Sequence, residues 1–348
     1  MNIIKALGYG WELSRLHLQS TYRVPLSVHL GLTNRCNNRC VYCHYDQRPQ
    51  EDVWTTESLK KVLAEMKSAG VRRVQFTGGE PLLRQDLGEI LAFARRQGFF
   101  IGVATNGFQV DERFEELRPV DVVQLSYDGP PEVHGSLRGQ KSVETVERAL
   151  AALLRAGIRV WTTTVLTTLN APHVEDIVTR ARENGIVANF TLLDFFEDPQ
   201  EHFHPALAEV KELVLTGDLK TQTLQTLIDL KKAGQPVGCS LGYLENARDW
   251  PYGDRVTSPE PSPLYGCWAG RATGHLEADA KLYACGMGVG RVPGIDVREL
   301  GFAQAWRDLK PLPHCLSCSQ ACGVEANLLF SLRMSSIRNW LGQLRKTK

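Results

Sequence analysis

The sequence lacks a charge excess. Its 348 residues carry 40 Lys and Arg against 39 Asp and Glu, a formal net charge of +1, so no global field draws it toward nucleic acid. It lacks any apolar run approaching the ~20 residues of a membrane span. Residues 1–20, MNIIKALGYGWELSRLHLQS, hold neither a compact apolar stretch nor a small-residue cleavage site. That argues against a signal peptide and sets the expectation of a cytoplasmic protein. Low-complexity segments are missing too. So is an even cysteine count: there are nine, which do not close into a set of disulfides and which a reducing cytosol keeps open.

What is present is an ordinary globular composition, 43% apolar and 23% charged, in a chain longer than the roughly 250–300 residues at which single cores stop growing. One large α/β unit with a smaller second unit is expected. From 26 to 193 strand-like and helix-like stretches alternate. Strands are predicted at 26–33, 71–79, 99–107, 120–129, 158–168 and 186–193, and helices at 55–70, 86–98, 143–157 and 174–185. Thr55 or Thr56 caps the first helix and Gly70 stops it. Leu150, Leu153 and Leu154 fall in the apolar stripe of the helix over 143–157. Some six βα units argue a parallel sheet with right-handed crossovers, either a doubly wound sheet or an incomplete barrel. In both, ligands bind where the strands end.

After Leu193 the pattern changes. FFEDPQEHFHP (195–205) reads as a loop, helices are expected at 206–216 and 219–233, and the Pro- and Gly-rich stretch 249–266 as a linker. HLEADAKLYAC (275–285) resembles a short hairpin ending on a cysteine. The tail, 325–346, reads as a basic amphipathic helix. Leu329, Ile337, Trp340, Leu341 and Leu344 share one face of it, and Arg333, Arg338, Arg345, Lys346 and Lys348 give charge to another. Both this helix and a short one over 3–18 are open to three readings: packing against the barrel, a frayed solvated end, or lying on a membrane surface.

The cysteines are clustered as metal ligation requires. Cys36, Cys40 and Cys43 lie within eight residues, and so do Cys315, Cys318 and Cys322. Cys267 and Cys285 stand between, and Cys239 stands apart. Three thiolates in one loop suit a [4Fe–4S] cluster with one iron left open, since four would close it. Zinc is the alternative, with His44 as a fourth ligand in an awkward position beside Cys43.

CNNRCVYCH (36–44), placed after a first strand, resembles the signature of the radical S-adenosylmethionine (SAM) superfamily. The resemblance implies a fold: a partial (β/α)6 TIM-like barrel followed by a small cysteine-rich auxiliary-cluster domain. It implies that the open iron chelates the amine and carboxylate of SAM, and that the reduced cluster cleaves SAM to a 5′-deoxyadenosyl radical. Tyr42 holds the position that lies against the adenine. TGGEPLL (77–83) resembles the GGE motif, so Gly78, Gly79 and Glu80 are expected at the methionine amine. VQLSYDGPPEVHGSLRG (123–139) resembles the fourth-strand segment, which assigns Ser126 to the ribose or methionine part of SAM. Asp128 and Arg138 match the same segment, with cofactor contact and loop support both open. Asn106, in TNG, either faces the cavity or makes a turn. A catalytic acid or base is not assigned.

Cys267, Cys285, Cys315, Cys318 and Cys322 resemble the twitch and SPASM extensions. The implied ligands of one auxiliary [4Fe–4S] cluster are Cys267, Cys285, Cys315 and one of Cys318 or Cys322. Cys239 either serves a second cluster or is a buried free thiol. Zinc is again the alternative, as in a ribbon. The boundaries that follow are a terminal helix over 1–25, the barrel over 26–195, a helical insert and linker over 196–266, the iron–sulfur unit over 267–323 and the basic helix over 324–348. The expected function is hydrogen-atom abstraction from a substrate in peptide or natural-product modification or in cofactor maturation. An electron donor such as a flavodoxin or ferredoxin is implied. Only about 25 residues precede the first strand, which lowers the expectation of a peptide-binding domain there. The competing reading is a non-catalytic iron–sulfur or zinc protein: a carrier, sensor or scaffold.

Overall fold

The computed structural model describes residues 12, 14–19, 22–43, 45, 48–193, 208–252 and 255–346. Each predicted strand of the first half is there, trimmed at its ends: β1 (Ser27–Gly31), β2 (Arg73–Thr77), β3 (Phe100–Thr105), β4 (Val122–Ser126), β5 (Val160–Leu166) and β6 (Val187–Leu192). They lie side by side in chain order, each parallel to the next. A doubly wound sheet would reverse direction at a switch point. The unbroken order instead sends every crossover the same way, which curls the sheet into a partial barrel.

The helices Thr56–Ser68, Leu87–Arg96, Lys141–Arg155 and Val174–Glu183 supply four of the five crossovers, and the short turns Val110–Arg113 and Phe114–Leu117 the one from β3 to β4. Thr55 caps the first in a full capping box with Ser58. Val28 and Leu30 of β1, Val74 and Phe76 of β2 and Leu125 of β4 are sealed under the helices, together with Leu150 and Leu153. Leu154 departs from the expected stripe and is 37% exposed, because at 100° per residue the stripe ends between it and Leu153. A further helix, Pro131–Arg138, follows β4 directly. No periodic signal marked it, since it opens on prolines and closes on Gly139.

The second half differs more from its expectations. The loop 195–205 and residues 206–207 lie outside the described residues; the helix expected over 206–216 is helical only over Ala208–Lys211, and 212–216 leave it in a turn. The next helix, Gly217–Lys232, forms as read, and Leu241–Arg248 is an addition. The linker stretch contains a two-residue strand β7 (Thr257–Ser258). The hairpin is real: β8 (Thr273–Leu276) and β9 (Lys281–Tyr283) pair antiparallel, and β10 (Ile295–Asp296) follows. It does not stand apart, because β8 pairs parallel with β1 and extends the barrel sheet to the order β10-β9-β8-β1-β2-β3-β4-β5-β6. A last strand, β11 (Ser317–Cys318), pairs with β7.

The tail is two helices, Ala321–Phe330 and Met334–Lys346, broken where Leu332 takes a left-handed φ of 57°. The second helix rests on the body: Asn339 Nδ2 donates to the Gly238 carbonyl at 2.8 Å, and Lys231 Nζ donates to Asn339 Oδ1 at 2.8 Å. Most of the terminal helix over 3–18 and the side chain of Leu344 lie outside the described residues. Among the described residues no helix is long and apolar enough to cross a membrane.

Candidate cofactor and metal site

The first cysteine loop leaves the C-terminal end of β1 and is bound to its neighbours by backbone and side chain. Gly79 N donates to Thr33 O and Glu80 N to Arg35 O, both at 2.8 Å. The two chains run so close that side chains cannot intervene. A Cβ on Gly78 would stand 2.3 Å from Thr33 O, and one on Gly79 would stand 2.2 Å from Arg35 O. Gly78 also has a φ of 127°, which disfavours any side chain. The glycines of the motif therefore serve the seating of the cysteine loop itself.

Glu80 is 1% exposed. Its Oε1 accepts from Leu82 N at 3.1 Å and Thr105 Oγ1 at 2.8 Å, and its Oε2 accepts from Asn106 N at 2.7 Å. Burial pushes its carboxyl up to about 7 against those donors. Asn106 continues the chain of contacts. Its Nδ2 donates to Asn37 Oδ1 at 2.9 Å and approaches Cys36 Sγ at 3.8 Å, while its Oδ1 accepts from Phe108 N in a local turn. Asn106 thus makes the local turn with its Oδ1 and reaches the cysteine loop with its Nδ2.

On the other flank, Tyr42 Oη donates to Asp128 Oδ2. Arg138 Nε donates to the same oxygen at 2.6 Å, and Arg138 Nη1 reaches Cys40 Sγ at 3.7 Å. Asp128 Oδ1 accepts from Val165 N at 3.0 Å. Asp128 is fully buried and Arg138 is 8% exposed. Burial alone would favour a neutral guanidine, but Asp128 and then Tyr42 and Cys40 hold Arg138 charged. Asp128 and Arg138 brace the loop through Tyr42, and they leave one cation against the Cys40 sulfur. Ser126 ends β4 half-buried beside Thr163 of β5.

Cys36, Cys40 and Cys43 are electrostatic neighbours. Burial raises the Cys36 thiol to about 11 and the Cys40 thiol to about 12, and each feels Cys43. Thiols this reluctant to ionise lose their protons when a bound metal displaces them to solvent. Among the described residues no three His, Cys, Asp or Glu side chains converge on a single ion position. The donor set here, three cysteine sulfurs in one loop with Arg138 beside them, suits a cubane with one iron left open. His44 lies outside the described residues.

The second cysteine group comes from three separate segments, at Cys267, at Cys285 and over 315–322. Cys285 has Cys322, Cys267 and Cys315 as electrostatic neighbours, and Cys318 has Cys285, Cys267 and Cys315. Burial raises the Cys267, Cys285 and Cys318 thiols, and Cys315 rises to about 11. Cys318 is buried and Cys322 exposed. Cys239 is elsewhere, at β6, where its thiol contacts the Phe190 N–H and carbonyl at 3.2 Å each.

Sequence reading passed over Arg48, His275 and Glu277. Arg48 Nη1 donates to Glu277 Oε2 at 3.0 Å and ties the first loop to β8. The available signal was alternation: polar His275 and Glu277 flank the core residue Leu276, as Ser27 and His29 flank Val28.

A loop of three thiols at the end of a first barrel strand, seated on a GGE turn, defines a class: a radical SAM domain. The family model described as the radical SAM superfamily matches residues 30–182, and this part of the chain belongs to that superfamily, whose cofactors are a [4Fe–4S] cluster and SAM. Fe-coproporphyrin III synthase of Methanosarcina barkeri is 31% identical over 236 residues, 65% of this chain and 56% of that protein, so the chain spans little more than half of that relative. Among solved structures, Streptococcus suis SuiB bound to S-adenosylmethionine superposes with a TM-score of 0.64 at 16% identity, over 86% of this chain and 69% of that one. The structure of anSMEcpe with bound AdoMet gives 0.62 at 18%, over 92% and 98%. At such identities these two speak for the fold, barrel and C-terminal region together.

Proposed function

We propose that the whole chain is a radical SAM enzyme with two iron–sulfur sites. The observation that carries this is the seating of Cys36, Cys40 and Cys43: Gly79 and Glu80 donate to their loop, Asn106 approaches Cys36 and Arg138 approaches Cys40. When bound there, a [4Fe–4S] cluster supplies reductive cleavage of SAM to a 5′-deoxyadenosyl radical, and the radical takes a hydrogen atom from substrate. The chain's own residues do the rest. Tyr42, Gly78, Gly79, Glu80, Asn106 and Ser126 border the SAM position, and Asp128 and Arg138 hold the loop. The half-buried inner face of the strands encloses the substrate away from bulk water.

Cys267, Cys285, Cys315 and Cys318 form the auxiliary site, with exposed Cys322 at its rim. The mutual electrostatic proximity of these thiols and the burial of Cys318 support this set. The substrate belongs to peptide or natural-product modification or to cofactor maturation, and a flavodoxin or ferredoxin supplies electrons. Packing of Asn339 and Lys231 favours the docked use of the tail helix over the membrane-surface one. The test is anaerobic reconstitution with iron and sulfide, then SAM and dithionite, with 5′-deoxyadenosine as readout. Wild type is expected to make it and Cys36→Ala is not; a fully loaded wild type that makes none refutes the assignment.

A further inference from the structure

The β8–β9 hairpin carries a polar cluster that holds neither cysteine group. His275 is in register with His29 of β1, and their rings stack with centroids 6.0 Å apart. His275 Nε2 lies 2.9 Å from Glu277 Oε1, and Arg48 takes the other carboxylate oxygen at 3.0 Å. Glu277 and Arg48 are closed off, with side chains 6% and 8% exposed, whereas the imidazole is 17% exposed. Burial opposes ionisation of Glu277, but His275 and Arg48 outweigh it and bring its carboxyl down to about 2.

An ionised carboxylate can only accept, so Nε2 is the nitrogen that carries the proton. The lone pair of the neutral ring then sits on Nδ1. Among the described residues Nδ1 makes no hydrogen bond, and beside it stands Gly286, whose missing Cβ would lie 3.4 Å away. Gly286 follows Cys285, and Arg48 shares its field with Cys43. The dyad therefore spans the interval between the two cysteine groups. Other titratable neighbours do not compete for the role. Burial, with Arg73 and His275, lowers His29 to about 3, and burial raises the phenol of Tyr283, paired opposite His275, to about 12.

Resting on the radical SAM reading, we infer that His275 is the proton acceptor of the reaction chamber, serving a hydroxyl or amine group of the substrate. The step is a plain proton transfer. The O–H or N–H bond of the substrate breaks, its electron pair stays on the heteroatom, and the proton forms a bond to Nδ1. The resulting imidazolium keeps its Nε2–H on the Glu277 carboxylate, which stabilises it as the acid does in histidine–carboxylate catalysis. The class of substrate is accordingly one that presents a hydroxyl or amine group to this end of β8.

The test is reaction of the full-length reconstituted protein with diethyl pyrocarbonate, mapped histidine by histidine with mass spectrometry. His173, whose side chain is 37% exposed, is the internal standard. His275 is expected to react at Nδ1, to slow several-fold when SAM fills the chamber, and to slow several-fold in Glu277→Gln. Glu277→Asp, which keeps the charge, recovers part of the rate, and His173 does not change. The SAM arm uses wild type alone, so it stands even where the variants fold poorly. A His275 that reacts only after unfolding, or that ignores SAM, overturns the inference. The 5′-deoxyadenosine assay on the same preparation separates the two claims: cleavage with a SAM-insensitive His275 removes this inference only, and no cleavage removes the reading beneath it.

Discussion

The two cysteine groups solve the same problem in opposite ways. The first is local: Cys36, Cys40 and Cys43 share one loop, and the neighbouring strand ends reach in to hold it. The second is assembled: Cys267, Cys285 and the Cys315–Cys318 pair come from three separate segments, brought together by the β8–β9 hairpin joined to β1 and by the β7–β11 pair. A local group depends on backbone fit within a few residues. An assembled group depends on tertiary packing being right first, and its polar surroundings, His275 and Glu277 among them, come with that packing.

Replacing ligands should separate the two groups most sharply. Cys40→Ala is expected to abolish 5′-deoxyadenosine formation, whereas Cys318→Ala keeps it while iron per chain falls to about half, by metal and sulfide analysis. If both variants lost cleavage equally, the groups would not be independent. The next largest effect is at the support of the local group. Asp128→Ala leaves Arg138 buried without its partner, which typically costs about 3–5 kcal/mol; a urea midpoint close to wild type would show that the pair is not what holds the loop. Gly79→Ala forces a backbone clash, and strain of this kind costs roughly 1–3 kcal/mol. Thermal melts and cluster yield should both drop.

Glu80 gives a smaller, pH-dependent effect. Its folded carboxyl is raised to about 7 while the unfolded one stays near the ordinary value of about 4.3. The folded state thus binds the extra proton between those values. Its contribution is fully present below the lower one and is lost as pH rises through about 7. Melts of metal-free protein should fall from pH 5 to pH 8, and Glu80→Gln should flatten that fall. An unchanged slope would mean that another group titrates. Least of all, Leu154→Ser should change stability by no more than about 0.5 kcal/mol, against about 2–5 kcal/mol for Leu153→Ala.

Legibility followed the range of the interactions. The six strands, the Thr55 cap and the first cysteine loop were readable because each depends on residues within a turn or two. Helix Pro131–Arg138 was not, since its opening prolines and lone closing glycine look like a loop. The break at Leu332 escaped notice because the apolar periodicity runs on through it. Asp128 and Arg138 were singled out with their role open, and only burial and the contact with Cys40 made them supports.

By itself, the sequence determined the periodicities, the turns and the chemistry of the first loop, because spacing along a chain sets which groups share a helix face, a strand face or a single metal. Tertiary structure decided what lies far apart in the chain. It joined the hairpin to β1, gathered the second set of thiols, gave the Gly78-Gly79 turn its task against Thr33 and Arg35, and set Arg48 and His275 on one carboxylate 229 and 2 residues away. The His275 partner lies within local strand spacing, whereas Arg48 is set by sheet register and burial, which no local spacing writes.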